Sequence, residues 1–89
     1  MKEKLGKIIN HYGPINQLKK LSEEIFEFQE AIIKYECGYL NEEHIIEEFA
    51  DIMVLMEQFK VAYEIDNNKV IEIMKQKIDR QINRIKQEE

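Results

Sequence analysis

Two pairs of carboxylates are spaced for joint chemistry: Glu24 with Glu27, and Glu48 with Asp51. Residues three apart on a helix share a face, with Cβ atoms about 5–6 Å apart, so each pair can offer both carboxylates to one ligand. Four such groups brought together repel each other unless a cation stands among them. An all-oxygen donor set selects a hard divalent ion, Mg2+, with Mn2+ as a substitute. Asp51 is the only charged residue from Phe49 to Met56, and a lone carboxylate in apolar surroundings is costly unless a cation or a proton neutralises it. A second constellation is basic. Residues 75–86 carry Lys75, Lys77, Arg80, Arg84 and Lys86 against Asp79, a net charge of +4, whereas residues 23–51 hold ten acids and one base, a net charge of −9. Acidic and basic edges side by side suit a polyphosphate carrying a divalent cation, because the cation holds some phosphate oxygens and Lys or Arg holds the others.

Other metal chemistries fit the residues less well. Zinc would want Cys and His clusters, but the chain has Cys37 alone and two separated histidines. A carboxylate-bridged di-iron bundle needs Glu-x-x-His, which precedes neither His11 nor His44. No EF-hand loop is present. His11, His44 and Cys37 read as structural or surface groups, the methionines as core, and Glu23 and Glu30 as solvated side chains.

The elements that must position these groups are helices. With 44% hydrophobic and 35% charged residues, three Gly, one Pro and no Thr, the 89-residue chain has little turn material for a β fold. A short first helix runs from Lys2 to His11, and Gly13-Pro14 ends it and opens the next. Helix two, 14–37, carries the seam Leu18, Leu21, Ile25, Phe28, Ile32 and Tyr35, and Gly38 suits its C′ position. Helix three, 41–64, has Asn41 as N-cap, a core stripe of Ile45, Phe49, Ile52, Met56, Phe59 and Tyr63, and a second stripe of Ile46, Ala50, Val54 and Val61. Asp66 caps helix four, 66–87, which carries Val70, Met74, Ile78, Gln81 and Ile85 inward. The expected architecture is all-α, a four-helix bundle-like protomer of one short and three long helices spanning residues 1–89 as one domain. If helices two and three form an antiparallel hairpin, levels match where residue numbers sum to about 78, which sets Glu27 beside Asp51, and a hairpin of helices three and four sets Arg80 level with Asp51.

The paired motifs resemble those of the MazG-like all-alpha nucleoside triphosphate pyrophosphohydrolases. Glu23-Glu24-Ile25-Phe26-Glu27 is similar to that family's Glu-Glu-x-x-Glu, and Glu48-Phe49-Ala50-Asp51 to its Glu-x-x-Asp. The segment from Tyr12-Gly13 to Gln17-Leu18 resembles the family's lead-in, and residues 77–84 its basic last-helix motif, with Gln81 where an Asn often stands. The resemblance implies a Mg2+-dependent enzyme that splits a nucleoside triphosphate between the α and β phosphates, releasing the monophosphate and pyrophosphate. It implies that Glu24, Glu27, Glu48 and Asp51 hold the metal and carry the catalysis. By the same pattern Lys77 and Arg84 touch phosphates, Arg80 touches a phosphate or pairs with an acid, and Gln17 and Gln81 contact the substrate. An alternative reading is a non-enzymatic, metal-binding helical assembly module.

Size and charge bound the partners. A chain this short covers its apolar surface poorly, and helix three is apolar on two sides, so a homo-oligomer, dimer or tetramer, is expected. A net charge of −5 disfavours direct nucleic-acid binding. No uncharged run approaches the roughly 20 residues of a membrane span, and a single cysteine points to a reducing, cytoplasmic setting.

Overall fold

The computed structural model describes residues 1–39 and 42–89. Four helices run as α1 (Lys2–Tyr12), α2 (Pro14–Glu36), α3 (Glu42–Ala62) and α4 (Asn67–Glu88), and no strand occurs among the described residues. The all-α expectation holds, with helix ends shifted by one or two residues. The proposed N-cap Asn41 lies outside the described residues.

Each corner has a local cause. Gly13, at φ 90°, turns the chain between α1 and α2; its amide donates to the Ile9 carbonyl at 2.8 Å, and Pro14 opens α2 where a missing N–H costs nothing. At the end of α2 the Tyr39 amide donates to the Lys34 carbonyl and the Gly38 amide to the Tyr35 carbonyl, at 2.8 and 2.9 Å, with Gly38 at φ 85°. That pattern is a Schellman cap, which satisfies otherwise orphaned carbonyls. The end of α3 repeats it with Glu64 at φ 49°, where the Ile65 amide donates to the Lys60 carbonyl at 3.0 Å. Asp66 then caps α4 as its type and place foretold, its carboxylate accepting from the Asn68 amide at 2.9 Å.

α2 and α3 form an antiparallel hairpin, and α1 lies across it, mostly on α3. Gly6 sits close to α3: a Cβ there would lie 3.7 Å from Val61 Cγ1. The fully buried residues among those described are Ile9, Ala31 and Leu55, with the amides Gln17 and Gln58. Phe28 meets Phe49 with ring centroids 5.8 Å apart.

Two expectations require correction. The hairpin seam is rotated from the all-apolar stripe: α2 turns Gln17, Leu21, Glu24, Phe28 and Ala31 toward its neighbours, while Leu18, Ile25 and Tyr35 are exposed. On α3 the inward set is Ile45, Glu48, Ile52, Leu55 and Phe59, while Phe49, Met56 and Tyr63 are exposed. Polar side chains that find partners or a cavity occupy seam positions that hydrophobicity alone assigns to Leu or Ile. The second correction concerns α4, which does not pack as a fourth bundle helix. None of its Cα atoms comes within 8 Å of a Cα of another helix among the described residues, and none of its side chains is buried. The molecule is correspondingly extended, 50 × 37 × 21 Å, with a radius of gyration of 16.4 Å where a compact chain of this length has about 12 Å.

The Gly38 turn yields a direct test. No atom would obstruct a Cβ there, so Gly38→Ala suffers only from the left-handed backbone. It should cost about 1 kcal/mol, a drop of roughly 4–8 °C in melting temperature by calorimetry, with a smaller drop for Gly38→Asn.

Candidate metal and phosphate site

Glu24 and Glu27 stand on consecutive turns of α2, and Glu48 on the facing stretch of α3. Each offers an oxygen to a common point, and these oxygens all lie within 4.8 Å of one another. Glu24 Oε2 and Glu48 Oε2 are buried and accept no hydrogen bond. A carboxylate oxygen withdrawn from water without a donor is expensive, so the packing leaves two acceptors unsatisfied at the spot where a third carboxylate converges. Burial raises the Glu24 pKa, and the charges of Glu27, Asp51 and Glu48 push it further up against a smaller opposing effect of Lys20. Glu48 is raised by burial first and then by Glu27, while His44 opposes the shift.

The register explains which acids meet. Gln17 Nε2 donates to Gln58 Oε1 at 2.7 Å, and Glu27 lies within hydrogen-bonding reach of Glu48. These pairs sum to 75 rather than about 78, so Glu27 faces Glu48 and not Asp51. Asp51 instead shares a cavity of 410 Å3 with Glu24, lined also by Tyr12, Gln17, Lys20 and Gln58. It is exposed there, so the enclosed apolar setting expected for it does not exist. A smaller cavity of 330 Å3 opens on Glu27, Glu48, His44 and Lys34. The acids thus line two openings along the hairpin, the larger of them walled in part by Tyr12 at the end of α1.

Of the residues singled out by sequence, Glu24, Glu27 and Glu48 are brought together, and Asp51 and Gln17 line the adjoining cavity. Lys77, Arg80, Gln81 and Arg84 are all exposed on α4 and are not brought to the acids of their own chain. Three neighbours of the acids had no part in the sequence motifs. Gln58 is 2% exposed and Gln17 4%, the two forming a buried amide pair. Lys20 lines the cavity beside Glu24, and His44 Nε2 lies 3.7 Å from Glu48 Oε1. Helical spacing held the signal: Gln17, Lys20 and Glu24 share a face of α2, as His44, Glu48, Asp51, Leu55 and Gln58 share one of α3.

No family model matches the chain, and neither the curated proteins nor the solved structures yield a match.

The raised carboxylates set a pH dependence. A folded-state pKa above the unfolded value means that the folded chain binds the extra proton, so stability falls as pH rises from the ordinary carboxylate value, 4.5, through the raised ones. In chelator, the contribution of Glu24 and Glu48 should raise the melting temperature on acidification through that window. Glu48→Gln should flatten the profile relative to wild type, as followed by circular dichroism.

Proposed function

We propose that the chain is a divalent-metal-dependent hydrolase of nucleoside triphosphates, cleaving between the α and β phosphates to release pyrophosphate. The observation that carries this reading is the convergence of Glu24, Glu27 and Glu48, two of them with buried oxygens lacking a donor. Their chemistry fits a hard cation, since oxygen donors and net negative charge suit Mg2+ or Mn2+. The order of Glu-Glu-x-x-Glu and Glu-x-x-Asp, which resembles the MazG-like pyrophosphohydrolases, supports the same substrate class.

Glu24, Glu27 and Glu48 would hold the cation; Asp51, which the resemblance adds to the ligand set, lines the adjoining cavity with Glu24. A divalent ion in that position supplies acidified water and offsets negative charge on the phosphate oxygens. Lys20 offers a cation to the phosphates at the cavity, and Gln17 and Gln58 set polar groups at its inner end. By the resemblance, Lys77 and Arg84 would contact phosphate oxygens, Gln81 the substrate and Arg80 a phosphate or an acid once α4, which stands apart from these acids in the single chain, is brought over the site. A non-enzymatic assembly module is the second reading, favoured by the uncovered apolar surface of α4.

With Mg2+, the protein should release pyrophosphate and no inorganic phosphate from at least one member of a panel of ribo- and deoxyribonucleoside triphosphates. Glu27→Gln should lower turnover by on the order of a thousandfold, because a misplaced cation forfeits both nucleophile and charge stabilisation. Lys77→Ala should mainly raise KM, and Arg84→Ala should lower kcat if its contact tightens as charge develops. Mg2+ should also raise the melting temperature of wild type more than that of Glu27→Gln. A protein that binds Mg2+ but hydrolyses nothing in the panel selects the assembly reading.

A further inference from the structure

Gln17 and Gln58 face each other from α2 and α3, and both line the 410 Å3 cavity that Glu24 and Asp51 also border. Packed helices ordinarily fill such positions with Leu or Ile, and withdrawing two amides from water has a cost that a single mutual hydrogen bond offsets only in part. That bond uses half of what the amides offer. A glutamine side chain carries one acceptor oxygen and two N–H donors. Gln17 Nε2 donates to Gln58 Oε1 at 2.7 Å, and among the described residues neither side chain makes another hydrogen bond. The Gln17 oxygen and the Gln58 amide nitrogen are left over. Among the described residues the buried side-chain oxygens and nitrogens without a partner belong to Glu24 and Glu48, so these two leftover atoms are open, and the cavity is the space both side chains line.

The cavity therefore sets one acceptor beside one donor, with Ile8, Val54 and Leu55 as apolar wall. A sugar would leave hydroxyls unpaired against that wall. A flat heterocycle with a donor beside an acceptor on one edge satisfies both amides and lays its faces on apolar side chains. The direction of the amide bond is held by charge. Of the charged groups lining the cavity, Lys20 is nearest to the couple, three residues from Gln17 on one face of α2, with about 5–6 Å between such Cβ atoms. Glu24 and Asp51 each stand seven residues from the glutamine of their own helix, roughly 10 Å along its axis. Positive charge nearest Gln17 favours its carbonyl oxygen facing the cavity, which is the direction observed.

We infer that this amide couple reads the base of a nucleotide, Gln17 Oε1 accepting a hydrogen bond from the base edge and Gln58 Nε2 donating one to it, and that Gln58 is the positioning residue that holds the Gln17 amide in this direction. That the ligand is a nucleotide rests on the hydrolase reading. Cytosine and adenine set an amino group beside a ring acceptor, whereas uracil and hypoxanthine set an oxygen beside a ring N–H. A couple held in one direction matches one of these edges and opposes the other, so nucleotides that differ only by this exchange bind unequally.

Titration calorimetry with Mg2+ and the α,β-methylene analogues of CTP and UTP, and of ATP and ITP, reads the couple without turnover. Wild type should bind one member of at least one pair about tenfold or more tightly than the other, since a site that hydrogen-bonds one edge leaves polar groups unpaired against the other. Gln58→Met nearly keeps the volume and removes the amide, so the freed Gln17 amide turns to suit either edge, and the preference should fall to about threefold or less. A residue that only packs would weaken both members alike and leave the ratio unchanged. In wild type the side-chain 15N–H resonances of Gln58 should move when the preferred analogue is added, a readout that stands even where the variant fails to fold. Equal binding within both pairs, a preference that survives Gln58→Met, unmoved Gln58 resonances, or no binding of any analogue overturns the inference. Unequal binding by a protein that releases no pyrophosphate from the triphosphates leaves the base reading standing and the hydrolase reading fallen, and pyrophosphate release with equal binding does the reverse.

Discussion

Charge inside a helix seam is the constraint from which the rest of this structure follows. Glu24 and Glu48 occupy positions where two packed helices ordinarily set Leu or Ile, and their buried oxygens accept no hydrogen bond. Like charges at close range in a partly dry setting oppose folding, and their raised pKa values express that opposition. The hairpin offsets that cost by burying apolar side chains elsewhere, Ala31 and Leu55 among them, and the Gln17–Gln58 hydrogen bond closes the seam at one end without another unpaired group.

Turning the acids inward has a geometrical consequence on the other faces. A helix that gives seam positions to Glu and Gln must carry its remaining apolar residues at the flanks, and Leu18, Ile25, Phe49 and Met56 are accordingly open to solvent. The core left to one chain is small, with only Ile9, Ala31 and Leu55 fully buried as hydrophobic residues among those described. α4 adds an apolar stripe and packs on no other helix among the described residues. Acidic seam, thin core and unpartnered last helix are therefore three expressions of one distribution of residues. Each would be relieved by something outside the single chain: a cation for the seam, another surface for the stripes.

The sequence by itself determined the helices and most of their ends, because those depend on neighbours along the chain. Pro14 and Gly13, Gly38 after a long periodic run, and Asp66 before another act through backbone angles and hydrogen bonds that close within a few residues. It also determined that Glu24, Glu27, Glu48 and Asp51 lie near one height of one hairpin, since an i, i+3 pair on each arm of an antiparallel turn leaves few alternatives. Tertiary structure decided the register, the rotation of the seam and the direction of α4. The change in register moved Glu27 from Asp51 to Glu48, and a shift this small is set by how Phe28, Phe49 and the Gln17–Gln58 pair interlock. The seam rotated because hydrophobic periodicity weighs side chains by type, whereas packing weighs them by whether their polar atoms find a partner or a cavity. The path of α4 depended on the turn built by Lys60, Glu64 and Asp66, and the amphipathic pattern of a helix states that one face must be covered without stating by what.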